Sequence, residues 1–333
     1  MSQQQLTAGQ NLTSLQTYLL AEEAKHPHAT GAYTMILSAL SLAAKFISAR
    51  CRRARLEDVL GSMDAENVQG ETQQKLDVIA NEALLRSLGS RPGVAIVASE
   101  EDEDPIILRS DTSGERPYVV LFDPLDGSSN LDVCGSVGTI FSILLHDRRA
   151  TRVEESALQP GLRQVGAGYI LYGPSTVLVL TTGIGVQMFV LDPAIGSFLL
   201  VEGNVQIPEE GRTYSINSAN VHKSPEGYRR YIEWANEEGY SMRYAGAMVA
   251  DVHRTLMKGG VFLYPPTKSA PSGKLRLMYE ANPMAMLVEQ AGGKAFSGTQ
   301  RTMEVQPDAI HQRVPVILGS PAEVDHVLRH LAE

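Results

Sequence analysis

The sequence predicts a protein of the α/β (α+β) class, built from two domains or from one large layered domain. Its 333 residues exceed the usual length of a single domain. Apolar residues recur at helical spacing near the N-terminus, and short β-rich runs separated by turns occupy residues 165–202. Helical and strand patterns alternate after Pro208. We therefore expect an N-terminal domain over residues 1–203 and a C-terminal domain over residues 204–333.

In the N-terminal part, the spacing of apolar residues predicts two helices, over residues 12–26 and 33–54. Residues 57–70 are rich in small and polar side chains and predict a loop. A third amphipathic helix is expected over residues 72–88. Short apolar runs then predict buried strands at residues 94–98, 118–122 and 137–145.

The runs GYILYG, STVLVLTT, VQMFVLD and SFLLVEG lie between residues 165 and 202 and predict an antiparallel meander with tight turns. Beyond them, longer amphipathic segments alternate with short apolar ones. We expect helices at residues 224–238, 247–258, 282–291 and 321–332, and strands at residues 260–264 and 314–319.

Composition opposes several classes of function. A formal net charge of -9 and a pI of about 5.5 disfavour sequence-independent nucleic-acid binding, which needs a basic surface. Apolar runs such as residues 175–182 are far shorter than the ~20 residues that span a bilayer, and the N-terminus lacks the pattern of a secretory signal. With Cys51 and Cys134 as its only cysteines, neither a disulfide framework nor a zinc site is expected. We expect a cytoplasmic protein with neither nucleic acid nor membrane as partner.

One loop combines groups that bind metal ions with groups that bind phosphate. The run YVVLFDPLDGSSN begins as a buried strand and ends in Asp123, Asp126 and a turn of small residues. Carboxylates bind hard metal ions, and the free N–H groups of a Gly-Ser-Ser turn bind phosphate. Asp-Pro and Asp-Gly pairs are also common simply as turn residues. The loop alone therefore favours a metal-assisted phosphate-ester site and leaves a structural turn open.

Further carboxylates follow other predicted elements. Glu100 and Glu101 come directly after the strand at residues 94–98, and if that strand pairs with the strand of the DPLDGSSN loop, their acids meet. Glu71 and Asp77 lie at the start of the third helix, where an acid can equally favour the helix dipole. Such a cluster needs cations to neutralise its repulsion. Because all the candidate ligands are oxygens, we expect Mg²⁺ or Mn²⁺.

The string DPLDGSSN resembles the signature of the magnesium-dependent, lithium-sensitive sugar and inositol phosphatases. Further strings, covering roughly residues 12–330, are similar to those of class I fructose-1,6-bisphosphatases. They are KLDVIANE from Lys75, SEE from Ser99, SVGTIFSI from Ser136, MVADVHRTL from Met248, GGVFLYP from Gly259, GKLRLMYEANPMA from Gly273 and QAGGKA from Gln290. The resemblance implies the five-layer α-β-α-β-α sandwich of the sugar phosphatase superfamily.

The resemblance also implies roles for the acids. Asp77 and Glu101 match the family's acids that orient or deprotonate the attacking water. The family more often has Asp at the position of Glu71, whose longer side chain can still coordinate. Metal ions shield the phosphoryl oxygens, stabilise the departing sugar alkoxide and activate the water. Two to three ions per subunit would be held by Glu71, Glu100, Asp123, Asp126, Glu280 and the carbonyl oxygen of Leu125.

Two groups of residues would hold the phosphates of the substrate. The backbone N–H groups of Gly127, Ser128 and Ser129 would bind the 1-phosphate. Arg243 would reach the 6-phosphate from a neighbouring subunit of a homotetramer. Asn220 stands where many members carry a further Tyr, so no role is carried over to it. The 6-phosphate binders of the family match Asn217, Arg243, Tyr244, Tyr264 and Lys274.

Many class I relatives are inhibited by AMP bound near the N-terminal helices, and this chain departs from the family pattern there. The family reads GTGELT where this chain has ATGAYT, with Ala32 in place of an acidic residue. Pro117 and Leu145 occupy positions that are basic in the family. Because charge-assisted contacts are the strong ones, we expect AMP to inhibit weakly or not at all, unless Arg116 or Arg148 substitutes for the lost cations.

The sequence therefore predicts an enzyme that resembles class I fructose-1,6-bisphosphatase and hydrolyses fructose 1,6-bisphosphate to fructose 6-phosphate and phosphate in sugar synthesis, as in gluconeogenesis. Rival substrates are sedoheptulose bisphosphate and inositol phosphate. Arg243, Tyr264 and Lys274 favour a bisphosphate but do not separate six- from seven-carbon sugars. A rival of another class is a non-catalytic sugar-phosphate sensor, which the presence of both Asp77 and Glu101 opposes.

Overall fold

In the described part of the chain, three helices lie near the N-terminus and four lie in the C-terminal half. The computed structural model describes residues 12–25, 29–66, 72–109, 117–147, 149–150 and 153–333. Its helices are α1 (Leu15–Glu23), α2 (Ala32–Arg53), α3 (Lys75–Gly89), α4 (Glu226–Glu237), α5 (Met248–Lys258), α6 (Asn282–Gln290) and α7 (Pro321–Ala332). Helices α4 and α7 form one layer, and α5 and α6 form another.

A large sheet dominates the N-terminal part of the chain. Its strands lie in the order β10-β9-β8-β7-β6-β5-β3-β4, and β3 and β5 are its parallel pair, while the other described neighbours run antiparallel. Strands β1 and β2 form a separate antiparallel pair. The bounds are β1 (Ser62–Glu66), β2 (Thr72–Gln74), β3 (Val94–Ser99), β4 (Ile106–Ile107), β5 (Tyr118–Asp126), β6 (Val137–Leu145), β7 (Gln164–Tyr172), β8 (Thr176–Thr181), β9 (Gln187–Asp192) and β10 (Ser197–Glu202).

A smaller sheet forms in the C-terminal part, in the order β12-β11-β13-β18-β15-β16. Strand β11 runs parallel to both of its neighbours, and the remaining pairs are antiparallel. Strands β14 and β17 pair separately. The bounds are β11 (Thr213–Ser215), β12 (Ser241–Met242), β13 (Val261–Tyr264), β14 (Leu275–Arg276), β15 (Lys294–Ser297), β16 (Gln300–Arg301), β17 (Arg313–Val314) and β18 (Val316–Gly319).

Among the residues that the structure describes, three apolar cores hold these elements in five layers. The first core joins α1, α2 and α3 to one face of the large sheet, through side chains such as Ile36 and Phe122. The central core places α5 and α6 between the two sheets, where Val252 and Leu287 are fully buried. The third joins α4 and α7 to the far face of the small sheet. The predicted α-β-α-β-α sandwich is therefore confirmed.

The outermost layer contains the single tryptophan of the chain. Trp234 on α4 is half-buried, and its ring stacks on His326 of α7 with 4.5 Å between ring centroids. Tyr231 is fully buried beneath it. Aromatic pairs of this kind add to the apolar burial that attaches α4 and α7 to each other.

Most predicted elements are confirmed, including the antiparallel meander β7–β10, but several differ from their predicted bounds or were missed, two of them near the start of α3. Residues 57–70 were predicted as a loop and contain β1. The third helix was predicted from residue 72 and begins at Lys75. It begins there because Oδ2 of Asp77 accepts a hydrogen bond from the Gln74 N–H at 2.8 Å, which caps the helix.

Helix α2 is long and apolar enough to cross a membrane by length and composition alone, with a mean hydropathy of 1.4 over its most apolar 18-residue window. The sequence predicts this helix over residues 33–54, and no uninterrupted apolar run marks it as a membrane span. Half of that window is buried inside the protein, with Ile36, Leu40 and Ile47 in the first core. A core helix has the same composition, so this feature is weak evidence for a membrane span.

Candidate metal and phosphate site

The parallel pairing of β3 and β5 brings acids from two parts of the chain to one edge of the large sheet. Ser99 lies opposite Phe122, and the Glu100 N–H donates to the Phe122 carbonyl oxygen at 3.0 Å. Glu100 therefore leaves its strand beside Asp123, so the strand pairing on which the meeting of these acids depended is present. Strand β5 does not end at residue 122 but continues to Asp126, with a shift of register against β6 between the two aspartates.

Three carboxylates converge where β5 meets the second half of the chain. One oxygen each from Asp123, Asp126 and Glu280 lies within 4.8 Å of the others. Asp123 and Glu280 are buried, and Asp126 is half-buried. Oδ1 of Asp123 also accepts a hydrogen bond from the Leu125 N–H at 2.9 Å. Oxygens so spaced can share a metal ion.

The electrostatics of this cluster favour a bound cation. Burial, followed by the charges of Glu100, Asp126 and Glu280, raises the pKa of Asp123 well above its ordinary value. Burial likewise raises the pKa of Asp126 to about 7. It raises the pKa of Glu280 to about 8, partly opposed by the Arg276 guanidinium. Carboxyl groups held together out of water ionise reluctantly until a cation joins them.

Arg276 organises the wall of the cluster, although no role was predicted for it. Its guanidinium forms an ion pair with Glu100, and both side chains are buried. Its backbone N–H donates to Oε2 of Glu280 at 2.6 Å. Across the site, the Val249 N–H in the first turn of α5 donates to Oδ2 of Asp126 at 2.7 Å. Each carboxylate is thus fixed in orientation by the backbone or by one arginine.

The cluster opens into a polar cleft of about 260 Å³. Glu71, a predicted ligand, lies outside the described residues. Ser129 is exposed and is not one of the residues that line the cleft. The predicted residues that do line it are Asp77, Glu100, Glu101, Asp123, Leu125, Asp126, Gly127, Ser128, Tyr244, Tyr264, Lys274 and Glu280.

The turn after Asp126 has a conformation that requires glycine. Gly127 has a φ of 74°, and a Cβ atom built on it would lie 2.3 Å from the Cβ of Ala247. A 3₁₀ helix, Ser128–Val133, follows directly, so the N–H groups of its first residues are free of intrahelical partners. Gly127 and Ser128 present this turn to the cleft, beside the acids.

Tyrosine and lysine side chains form the other end of the cleft. Tyr264 and Lys274 line both the main cleft and an adjoining cavity of about 170 Å³, which Asn217 and Lys223 also line. Burial raises the pKa of the Tyr244 hydroxyl to about 12, so it remains a hydrogen-bond donor at neutral pH. Lys223 was not singled out from the sequence, because an exposed lysine carries no motif.

Arg243 differs from the other predicted phosphate binders. It is exposed, its Nη1 donates to the Met242 carbonyl oxygen at 2.7 Å, and it is not one of the residues that line the cleft of its own chain. The neighbouring backbone is held by Asp251, for which no role was predicted either. Asp251 is buried and accepts hydrogen bonds from the N–H groups of Ala245 at 2.8 Å and Gly246 at 3.1 Å.

A further cavity, of about 410 Å³, lies in the predicted AMP region. Thr30, Gly31 and Leu145 line it, together with the acids Glu22 and Glu23. Its described lining residues include neither lysine nor arginine. Arg116 and Arg148, the cations that could substitute, lie outside the described residues.

Comparison with known proteins agrees with this geometry. The model of the fructose-1-6-bisphosphatase N-terminal domain matches residues 13–203, and that of the C-terminal domain matches residues 207–332. A curated relative, the class 1 fructose-1,6-bisphosphatase of Persephonella marina, is 50% identical over 319 residues, covering 96% of this chain and 98% of the relative.

Solved structures give the same result. The holo form of Leishmania major fructose-1,6-bisphosphatase is 41% identical with a TM-score of 0.90, over 96% of this chain and 99% of that one. Its T-state is 39% identical with a TM-score of 0.85, over 96% and 98% of the two chains. With family models, sequence identity and fold in agreement over nearly its whole length, the chain belongs to the fructose-1,6-bisphosphatase family.

Proposed function

We propose that this chain hydrolyses the 1-phosphate of fructose 1,6-bisphosphate, releasing fructose 6-phosphate and phosphate, as a step of sugar synthesis. The observation that carries the proposal is the division of one cleft between two kinds of group. The acidic cluster lies at one end, and Tyr244, Tyr264 and Lys274 lie at the other. A substrate with a phosphate at each end fits this division better than a monoester, and the named relatives favour the same substrate.

The acidic cluster fits divalent cations, for which we propose Mg²⁺ with Mn²⁺ as the alternative, two to three ions per subunit. Buried carboxylates outnumber the single guanidinium among them, and every donor is an oxygen. When bound, such ions shield the charges of the phosphoryl oxygens and of the departing sugar oxygen. We propose as ligands Glu71, Glu100, Asp123, Asp126, Glu280 and the Leu125 carbonyl oxygen.

The chain's own residues supply the remaining steps. Asp77 and Glu101 line the cleft beside the acidic cluster, and we assign to them the orientation of the attacking water and removal of its proton. The hydrogen bond from the Gln74 N–H holds the Asp77 carboxylate in place. We assign to the N–H groups of Gly127, Ser128 and Ser129 the binding of the 1-phosphate, since they lie where a helix begins.

At the far end, Asn217, Tyr244, Tyr264 and Lys274 would bind the 6-phosphate through hydroxyl, amide and ammonium donors. The exposed position of Arg243 agrees with the proposal that it enters the cleft of a neighbouring subunit in a homotetramer. We further propose that the division near residue 203 separates a metal-binding domain from a 6-phosphate-binding domain, that the enzyme is cytoplasmic, and that AMP inhibits weakly or not at all.

Phosphate release from fructose bisphosphate, sedoheptulose bisphosphate and inositol monophosphate, each with and without Mg²⁺, tests the proposal. We expect metal-dependent release that is fastest from fructose bisphosphate. Absence of metal-dependent release from fructose bisphosphate would refute the proposed function. Binding of the sugar phosphate without turnover would instead support the sensor that the sequence left open.

A further inference from the structure

The segment of residues 243–247 connects the two phosphate-binding ends of the cleft. At its C-terminal end, Ala247 packs so closely on Gly127 that no side chain could be added at that glycine. Near its N-terminal end, Tyr244 enters the far end of the cleft. This short segment therefore contacts the 1-phosphate turn at one end and the 6-phosphate end of the cleft at the other.

One side of this segment is anchored by Asp251. Its two carboxylate oxygens accept separate hydrogen bonds, Oδ1 from the Ala245 N–H at 2.8 Å and Oδ2 from the Gly246 N–H at 3.1 Å. Asp251 is 3% exposed and lies in the first turn of α5, the helix that also holds Asp126. Ala245 and Gly246 are themselves exposed, so these bonds, and not burial, fix their position.

The opposite side is anchored by Asn130, the last residue of the DPLDGSSN string. Its Nδ2 donates to the Ala245 carbonyl oxygen at 3.1 Å and to the Ser136 carbonyl oxygen at 3.4 Å. Its own N–H donates to the Gly127 carbonyl oxygen at 2.8 Å, so Asn130 moves with the phosphate turn. The residue Ala245 is thus held through its N–H by Asp251 and through its carbonyl by Asn130.

We propose that Asp251 and Asn130 are positioning residues that fix the separation of the two phosphate-binding ends and thereby determine the length of sugar bisphosphate that is accepted. The inference rests on the proposed function. A bisphosphate binds through both of its phosphates, so a change in the distance between the two phosphate-binding ends of the cleft weakens its binding. A sugar phosphate with a single phosphate at C1 uses one end and is insensitive to the separation.

The variants Asp251→Asn and Asn130→Ser test the two anchors independently. Asn at position 251 directs an amide at a backbone N–H where a carboxylate oxygen now accepts, and Ser at position 130 is too short to reach Ala245. Glu323→Gln is the matched control, because Glu323 is also a buried carboxylate that accepts a backbone N–H, that of Gly211 at 3.0 Å, and it is not among the residues that line the cleft.

The measurement is kcat and KM with fructose 1,6-bisphosphate, sedoheptulose 1,7-bisphosphate and fructose 1-phosphate, with the thermal midpoint of each variant. We expect kcat/KM for fructose 1,6-bisphosphate to fall about tenfold, mainly through KM. The kcat/KM for sedoheptulose 1,7-bisphosphate should fall less, or should rise if the wild-type enzyme does not accept this substrate. The kcat/KM for fructose 1-phosphate should not change. The control variant should keep the wild-type preference even if its midpoint falls.

Equal loss for all three substrates, or an unchanged preference between the two bisphosphates in both variants, would overturn the inference. Both results are distinct from failure of the proposed function, in which the wild-type enzyme itself releases no phosphate from fructose 1,6-bisphosphate with Mg²⁺. If one variant does not fold, the other still decides, because each removes one anchor of the same residue.

Discussion

The variant Glu280→Gln tests whether the acidic cluster binds divalent cations. Gln has the same size and retains an oxygen that can accept the Arg276 N–H, but it cannot ionise. Burial raises the pKa of Glu280 from 4.5 to about 8. A carboxyl group with a raised pKa contributes stability that is fully present below the unfolded-state pKa and is lost as the pH rises through the folded-state pKa. For Glu280 that window runs from about pH 4.5 to pH 8.

The size of this effect follows from the shift itself. One pKa unit corresponds to about 1.4 kcal/mol, so the whole window corresponds to about 5 kcal/mol, of which about 3 kcal/mol falls between pH 5 and pH 8. Without metal, Glu280→Gln should remove this fall in unfolding free energy between pH 5 and pH 8. With Mg²⁺, the wild-type protein should regain stability at pH 8, because binding to the folded state alone stabilises it. The variant should regain less, since it lacks one negative ligand.

Guanidinium unfolding of both proteins at pH 5 and pH 8, after chelation and again with Mg²⁺, makes the comparison. Because Trp234 reports on the outermost layer, far-ultraviolet circular dichroism should be recorded alongside its fluorescence. An equal dependence of unfolding free energy on pH in the two metal-free proteins would show that Glu280 is not the ionising group. Equal stabilisation of both by Mg²⁺ would show that Glu280 is not a ligand.

Three further predictions concern the cleft and the N-terminal cavity. Asp126→Ala should abolish turnover while circular dichroism shows an intact fold; retained activity would remove Asp126 from the metal site. Lys223→Ala should raise KM for fructose 1,6-bisphosphate about tenfold with kcat unchanged. The control Lys258→Ala, at the end of α5 and outside the cleft, should leave KM unchanged. Equal effects of the two variants on KM would show that Lys223 does not bind phosphate. AMP should not inhibit at micromolar concentration in a steady-state assay, because the described lining of that cavity carries Glu22 and Glu23 and no cation; half-inhibition at low micromolar AMP would contradict this.

Much of the fold could be predicted from the sequence, because its elements are short-range patterns. Pairing of the strands before Glu100 and Asp123 was only the condition under which their acids would meet, and the structure pairs these strands in parallel. The start of α3 was placed three residues too early. The apolar periodicity does not show where the helix begins, whereas the hydrogen bond from the Gln74 N–H to Asp77 fixes its first turn. Strand β1 was missed, since a segment rich in small and polar residues carries no apolar alternation.

The site was predictable only where the family resemblance assigns a role to a residue. Arg276 and Asp251 lie in the quoted strings GKLRLMYEANPMA and MVADVHRTL but were given no role there, and Lys223 lies outside the quoted strings. Arg276 acts through an ion pair with Glu100, far away in the sequence, and Asp251 acts through backbone N–H groups that no side-chain pattern reveals. Such roles depend on contacts between residues that are distant in the sequence. The local spacing of residues does not reveal these contacts.

The central core has a consequence for how the protein is made. Helices α5 and α6 cover the inner face of the large sheet, yet they follow it in the chain, so that apolar face has no cover until the second half has left the ribosome. Glu280 joins Asp123 and Asp126 at the same late stage. The growing chain therefore meets the mutual repulsion of all three acids only after Glu280 has been made, when every strand of the large sheet has already been synthesised.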